Sequence, residues 1–186
     1  IFGGIIGGTA LSFTAILFLD ASPFQLGLLQ TMQMLPAFLM GLFAGAWVDK
    51  LRRKPLLIGV DLSRALILLS IPLAAYFGLL SMNQLFVVAL LVSLLGIVFN
   101  LAWQAYLPGL VGKEHVLEGN SKLGASSALA EAMGFNVGGW LVQLLSAPGT
   151  VLFEVFANLI SALSIGLIRK PEEKLEVSEE ENLAGE

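Results

Sequence analysis

The sequence predicts an all-α membrane protein, a bundle of six transmembrane helices, and three observations carry that prediction. Hydrophobic residues fill 56% of the 186 positions, charged residues only 13%, and the mean hydropathy is +0.85. A soluble domain is roughly half apolar and a quarter charged. The apolar residues gather into six runs near the length of about 20 residues that a helix needs to cross a hydrocarbon core. Finally, the cations fall in alternate breaks between those runs. Unpaired backbone groups are too costly in lipid, so each run is helical unless strands close a barrel, and barrel strands would show short alternating segments instead.

The expected spans are 1 to 19, 23 to 47, 55 to 78, 83 to 107, 121 to 145 and 149 to 168. In the first, Gly3 with Gly7 and Gly4 with Gly8 are small residues one turn apart. Such pairs let a neighbouring helix approach closely where lipid supplies no hydrophobic drive, and a glycine face can alternatively line a solute path. The second opens at Ser22 as N-cap with Pro23 at the first helical position, and it carries Gly41 and Gly45. Its polar positions Gln30 and Gln33 are cavity candidates or interhelical glue.

The third span holds Asp61 and Arg64, three residues apart on one face and able to neutralise each other. Arg64 lies close enough to the inner surface to snorkel. On the fourth, Asn100, Trp103 and Gln104 are cavity candidates. The fifth is expected to be capped by Asn120 or Ser121; it carries Gly134 with Gly138, and Asn136 and Trp140 complete the cavity set. Glu131 falls about 15 Å along this helix, near the bilayer midplane, with no obvious basic partner. A carboxyl stranded there can carry a proton or attract a cationic substrate, or it can simply bridge two helices as a protonated acid. The sixth span holds Glu154, placed one to two turns from the outer face, where it lines a vestibule or sits as an exposed acid near the helix start.

Orientation follows from the cations. Lys50, Arg52, Arg53, Lys54, Lys113, Lys122, Arg169, Lys170 and Lys174 all fall on one side, nine of the ten basic residues, and the first, third and fifth breaks contain none. A bias of Lys and Arg in short loops marks the cytoplasmic side, so both ends of the unit are expected there. After the sixth span, residues 170 to 186 read as an acidic cytoplasmic linker, with seven glutamates from Glu172 to Glu186 and no apolar period.

The stretch Gly45-Ala-Trp-Val-Asp49-Lys50-Leu-Arg52-Arg53-Lys54 resembles the signature between helices two and three of the major facilitator superfamily, Gly-x-x-x-Asp-(Arg/Lys)-x-Gly-(Arg/Lys)-(Arg/Lys). Gly45, Asp49, Lys50, Arg53 and Lys54 match in register; Arg52 replaces a glycine. The resemblance implies a cytoplasmic gate in which Asp49 and Arg53 form ion pairs that a rocking motion makes and breaks. Asp61-Leu-Ser-Arg64-Ala, Gln104-Ala-Tyr-Leu-Pro108, Asn120, Gly134 with Gly138-Gly139, and Ser161-Ala-Leu163 are together similar to the bacterial branch that holds macrolide-efflux and enterobactin-exporter proteins. Trp103 departs from an arginine common in that branch, and Phe135 from the proline of the antiporter signature in helix five.

By this resemblance the chain is the amino-terminal half of a twelve-helix fold, built from two inverted three-helix repeats and completed by a carboxy-terminal six-helix half. Its implied function is secondary active transport in the bacterial plasma membrane, as proton-coupled efflux of small amphipathic molecules of drug or siderophore type by an antiporter. Glu131, Glu154, Asp61 and Arg64 are the proton or substrate candidates, and the partners are a small-molecule substrate, protons and the lipid bilayer. The alternative from a different class is a non-transporting membrane scaffold or interaction module.

Other chemistries are disfavoured by the residues themselves. There is no cysteine and one histidine, His115, so no metal or redox cofactor is expected. Gly109-Leu-Val-Gly112-Lys113 lacks the spacing and following hydroxyl of a phosphate loop. A net charge of −4 argues against nucleic acid, and no nucleophile clusters with a base as an enzyme would require.

Overall fold

The computed structural model describes residues 2–40, 52–111 and 116–168. Among these residues the chain is helical throughout its ordered elements: α1 (Phe2–Phe13, continued by a π-turn over Thr14–Phe18), α2 (Pro23–Met40), α3 (Arg53–Tyr76), α4 (Met82–Val111), α5 (Val116–Leu145) and α6 (Ala147–Leu167). By length and composition, α3, α4 up to Pro108, and α6 can cross a membrane, and Phe2–Phe18 is a shorter apolar helix. The outer surface supports that reading: Phe24, Phe38, Leu66, Leu163 and Leu167 are each more than two-thirds exposed. A belt of large apolar side chains facing outward suits lipid and would drive aggregation in water.

Local chemistry sets most helix ends. Ser22 caps α2 in a reciprocal box: the Gln25 N–H donates to Ser22 Oγ at 3.3 Å, and the Ser22 N–H donates to Gln25 Oε1 at 2.8 Å. Helix α3 stops at a Schellman turn, where Gly78 takes φ +68°, its N–H donates to the Ala75 carbonyl, and the Leu79 N–H donates to that of Ala74. Ser81 Oγ accepts from the Gln84 N–H at the start of α4. The fifth helix departs from expectation. It begins at Val116 rather than beyond Asn120, and Ser121 is not its cap, since its hydroxyl donates back to the Leu117 carbonyl inside the helix.

The principal packing pairs are α3 on α6, α3 on α4, α2 on α4, α1 on α5 and α1 on α6. Exchanging α1, α2 and α3 for α4, α5 and α6 maps α3–α4 onto α1–α6 and α2–α4 onto α1–α5, and returns α3–α6 to itself. Individual contacts fix the directions. Gly134 faces Ile5 and Gly138 faces Thr9, so α1 and α5 run parallel, whereas Gly3 faces Ala157 and Gly7 faces Glu154, so α1 and α6 run antiparallel.

Two apolar clusters stack along α3, α4 and α6. One gathers Ala65, Leu68, Ile71, Leu85, Val88, Val151 and Val155 with Ala10 and Leu11 of α1; the other gathers Leu57, Val60, Val98, Ala102, Tyr106 and Ile165. Along the helices Asp61 and Asn158 lie between them, and Glu154 beside Val151 and Val155, all three buried. The core is thus interrupted by one polar layer. At the end of the bundle that holds the start of α3, two cations bind backbone carbonyls of neighbouring helices. Lys54 Nζ donates to Ile168 O at 2.6 Å and Gly166 O at 3.1 Å, and Arg53 Nη1 donates to Ala105 O at 3.0 Å. This ties α3 to α6 and α4.

Candidate functional site

The polar layer is organised differently from its sequence spacing. Arg64 does not pair with Asp61 and does not snorkel: its Nη2 meets Glu154 Oε1 at 2.8 Å, across 90 residues of sequence, and the two side chains are 16% and 3% exposed. Glu154 therefore lines no outer vestibule. It sits one side of α6 inward, against α1, and the long guanidinium reaches it because α3 and α6 are the most closely packed pair. Asp61 is within hydrogen-bonding reach of the Ser161 hydroxyl on α6 and feels Arg64 only as a nearby charge. Isolated ions in an apolar interior are far costlier than paired ones, which is reason enough for the cross-helix pairing.

Helix α1 presents two different faces to its surroundings. Gly3 and Gly7 are buried, and a Cβ on either would overlap α6, at Ala157 from Gly3 and at the Glu154 carboxylate from Gly7. Gly4 and Gly8 are different. A Cβ on Gly4 would meet nothing closer than Glu154 Oε1 at 3.8 Å and Arg64 Nη2 at 3.9 Å, and one on Gly8 nothing closer than Gln33 Oε1 at 3.8 Å. These two glycines border an open cavity of about 400 Å³ between α1, α2 and α5. Glycine spacing alone could not separate packing from lining; the structure assigns one pair to each.

The cavity wall is mixed. Ile5, Phe13, Ile16 and Phe135 supply apolar surface, while Thr9, Ser12, Gln30 and Gln33 supply polar groups. Their hydrogen bonds are partly committed. Thr9 Oγ1 donates to the Ile5 carbonyl at 2.9 Å, Ser12 Oγ to the Gly8 carbonyl at 3.1 Å, and Gln30 Nε2 to Ser12 Oγ at 3.4 Å. Gln33 differs: its Nε2 has no hydrogen-bond partner among the described residues. Its backbone is held nonetheless, because the Ser93 hydroxyl of α4 donates to the Gln33 carbonyl, three residues before the helix-interior Pro36.

Of the cavity residues expected from sequence, Gln30 and Gln33 border this space. Trp103 does not: it stacks on Phe99 with ring centroids 6.4 Å apart and packs against the Leu57–Ile165 cluster, because its indole is apolar enough to join the α3–α4–α6 seam. Asn100 and Gln104 are exposed, one turn apart on α4. Asn136 is exposed and donates to its own helix at the Ala132 carbonyl, and Trp140 is 62% exposed. Glu131 is exposed on α5, one turn before Phe135 and on the same face. Gly45, Asp49 and Lys50 lie outside the described residues, as does the acidic segment from residue 170; Arg53 and Lys54 hold the carbonyls described above. Thr9, Ser12 and Phe13 were missed in the sequence, although Ser12 falls on the Gly4–Gly8 stripe of α1 and Thr9 and Phe13 on the neighbouring Ile5 stripe. Asn158 was missed too, and its place one turn after Glu154 was the available signal.

The sequence matches the family model of the Major Facilitator Superfamily over residues 1–185. No curated protein and no solved structure matches it. The match spans nearly the whole chain, and an all-helical bundle with an outward apolar belt and a mixed internal cavity agrees with it: the chain belongs to the major facilitator superfamily, whose members are multi-pass membrane transporters of small molecules rather than enzymes.

Proposed function

We propose that the protein is a secondary active transporter that exports small amphipathic molecules by alternating access, driven by proton entry. The observation that carries this reading is the cavity between α1, α2 and α5, whose apolar wall and few convergent polar groups are the usual make-up of a small-molecule site. Inverted repeats are supported by the way the principal helix pairs exchange when the two halves of the bundle are swapped. In this reading six spans cross a bacterial plasma membrane, with the α3 start and both ends of the unit on the cytoplasmic side.

Roles then divide by burial. The Arg64–Glu154 pair and Asp61 hold α1, α3 and α6 together. Glu131, exposed and one turn from the cavity-lining Phe135, is the proton carrier. Its open face, with Asn100 and Gln104 on α4, is the surface expected to meet a second six-helix half. Arg53 and Lys54 are anchored on α4 and α6, and by resemblance they belong with Gly45, Asp49 and Lys50 to the cytoplasmic gate. The test is flux of a fluorescent amphipathic substrate in liposomes under an imposed pH gradient. Gradient-driven export that loses its pH dependence in Glu131→Gln supports the assignment. Unchanged pH dependence in that variant removes Glu131 from the mechanism, and no flux under either gradient direction removes transport.

A further inference from the structure

Among the described residues, the cavity wall offers no ionisable side chain to a solute. It is built by Phe13, Ile16 and Phe135, with amides at Gln30 and Gln33 and a hydroxyl at Ser12. The nearest buried ions are bound to each other at 2.8 Å behind Gly4, so Arg64 has no free charge to lend. Glu131 stands outside the lining, a turn away along α5. A charged solute entering this space would give up water and find no counter-ion among the described lining residues, a large penalty; a neutral solute pays only for its polar atoms, and those can be matched.

The matching group is Gln33. Gln30 already donates to Ser12, whereas Gln33 Nε2 makes no hydrogen bond among the described residues and its Oε1 lies over the open Gly8 face. An amide uncommitted at its nitrogen can turn over without losing a bond, and so can present either a donor or an acceptor to the cavity. Its backbone, fixed by Ser93, keeps that amide in place.

We infer that this cavity selects an uncharged solute carrying a hydrogen-bonding oxygen on an aromatic or branched apolar body, and that the Gln33 amide is the residue that reads the oxygen. The inference rests on the transport reading for its biological meaning, but it concerns binding and is tested by binding. Within the exported molecules considered above it favours neutral, carbonyl- or hydroxyl-bearing compounds and excludes anionic chelators.

Four probes on one triphenyl frame separate the possibilities: triphenylphosphine oxide, neutral with an accepting oxygen; triphenylphosphine, without it; methyltriphenylphosphonium, a cation; and methyltriphenylborate, an anion. Binding is measured to the purified protein in lipid nanodiscs, with empty nanodiscs subtracting partition into lipid. The oxide is expected to bind about tenfold tighter than each of the other three, the effect of one satisfied polar contact. Gln33→Leu abolishes the preference for the oxide over the phosphine, and Gln33→Glu turns the preference to the phosphonium. Equal or tighter binding of either ion by the unaltered protein, no binding of the oxide, or an undiminished oxide preference in Gln33→Leu overturns the inference. Liposome flux of the oxide is read separately. Selective binding without flux leaves the inference standing and removes the transport reading; flux of the ions without that selectivity does the reverse.

Discussion

Gly3 and Gly7 differ from Gly4 and Gly8 by a single position along α1, yet they do opposite things. The first pair is buried where α6 comes so close that a methyl group would overlap Ala157 or the Glu154 carboxylate; the second faces open space bordered by Gln33. One helix therefore separates a tightly packed ionic seam from a solute-sized cavity, and glycine serves both faces for different reasons. On the packed face it admits a partner backbone and a charged side chain, and on the open face it keeps the wall thin. The lesson is that a small-residue stripe acquires meaning only from what stands opposite it.

The largest expected effect breaks the packed face. Arg64→Ala leaves Glu154 buried without its cation, and the loss should be about 3–5 kcal/mol, read as a lowered unfolding temperature in detergent. Replacing both partners, as Arg64→Met with Glu154→Leu, should recover most of that loss, and a double variant as unstable as the single one would show that the pair is not the source. Gly3→Ala comes next. Its methyl group meets Ala157, and overpacking of this kind costs about 1–3 kcal/mol by the same measurement.

Smaller effects follow away from the seam. Lys54→Met removes the donor to the last carbonyls of α6 and should cost about 1–2 kcal/mol, checked by thermal unfolding at two salt concentrations. Gly8→Ala sharpens the comparison most by doing least to stability. The added methyl finds only ordinary contact distance to Gln33, so the unfolding free energy should stay within about 0.5 kcal/mol, while affinity for a cavity-bound probe falls. If Gly8→Ala destabilised the protein as much as Gly3→Ala, the two faces would not be distinct.

Much of this architecture was legible in the sequence because the bilayer imposes length and polarity so strictly. The positions of α2, α3, α4 and α6 follow from apolar run length, and the Ser22 cap follows from Ser-Pro punctuation. The start of α5 did not, since Asn120 and Ser121 have cap chemistry but sit inside a helix that begins earlier. Partner choice was the least legible. Asp61 and Arg64 share a helical face, and only the approach of α6 shows that Arg64 spends its charge on Glu154. The same holds for Trp103, an aromatic residue in an apolar run that can equally line a cavity or fill a seam. Gln30 and Gln33 were readable as amides within an apolar helix, but the wall they share with Thr9, Ser12 and Phe13 depends on how α1 is turned.

The absence of native cysteine makes the central claim, that solute passes through the space between α1, α2 and α5, directly measurable. A single Gln30→Cys variant in liposomes is exposed to a membrane-impermeant maleimide from one side or the other, under opposed pH gradients. The account predicts labelling from both sides, with the two rates changing in opposite senses when the gradient is reversed. Labelling confined to one side under every condition, or none from either, would contradict it.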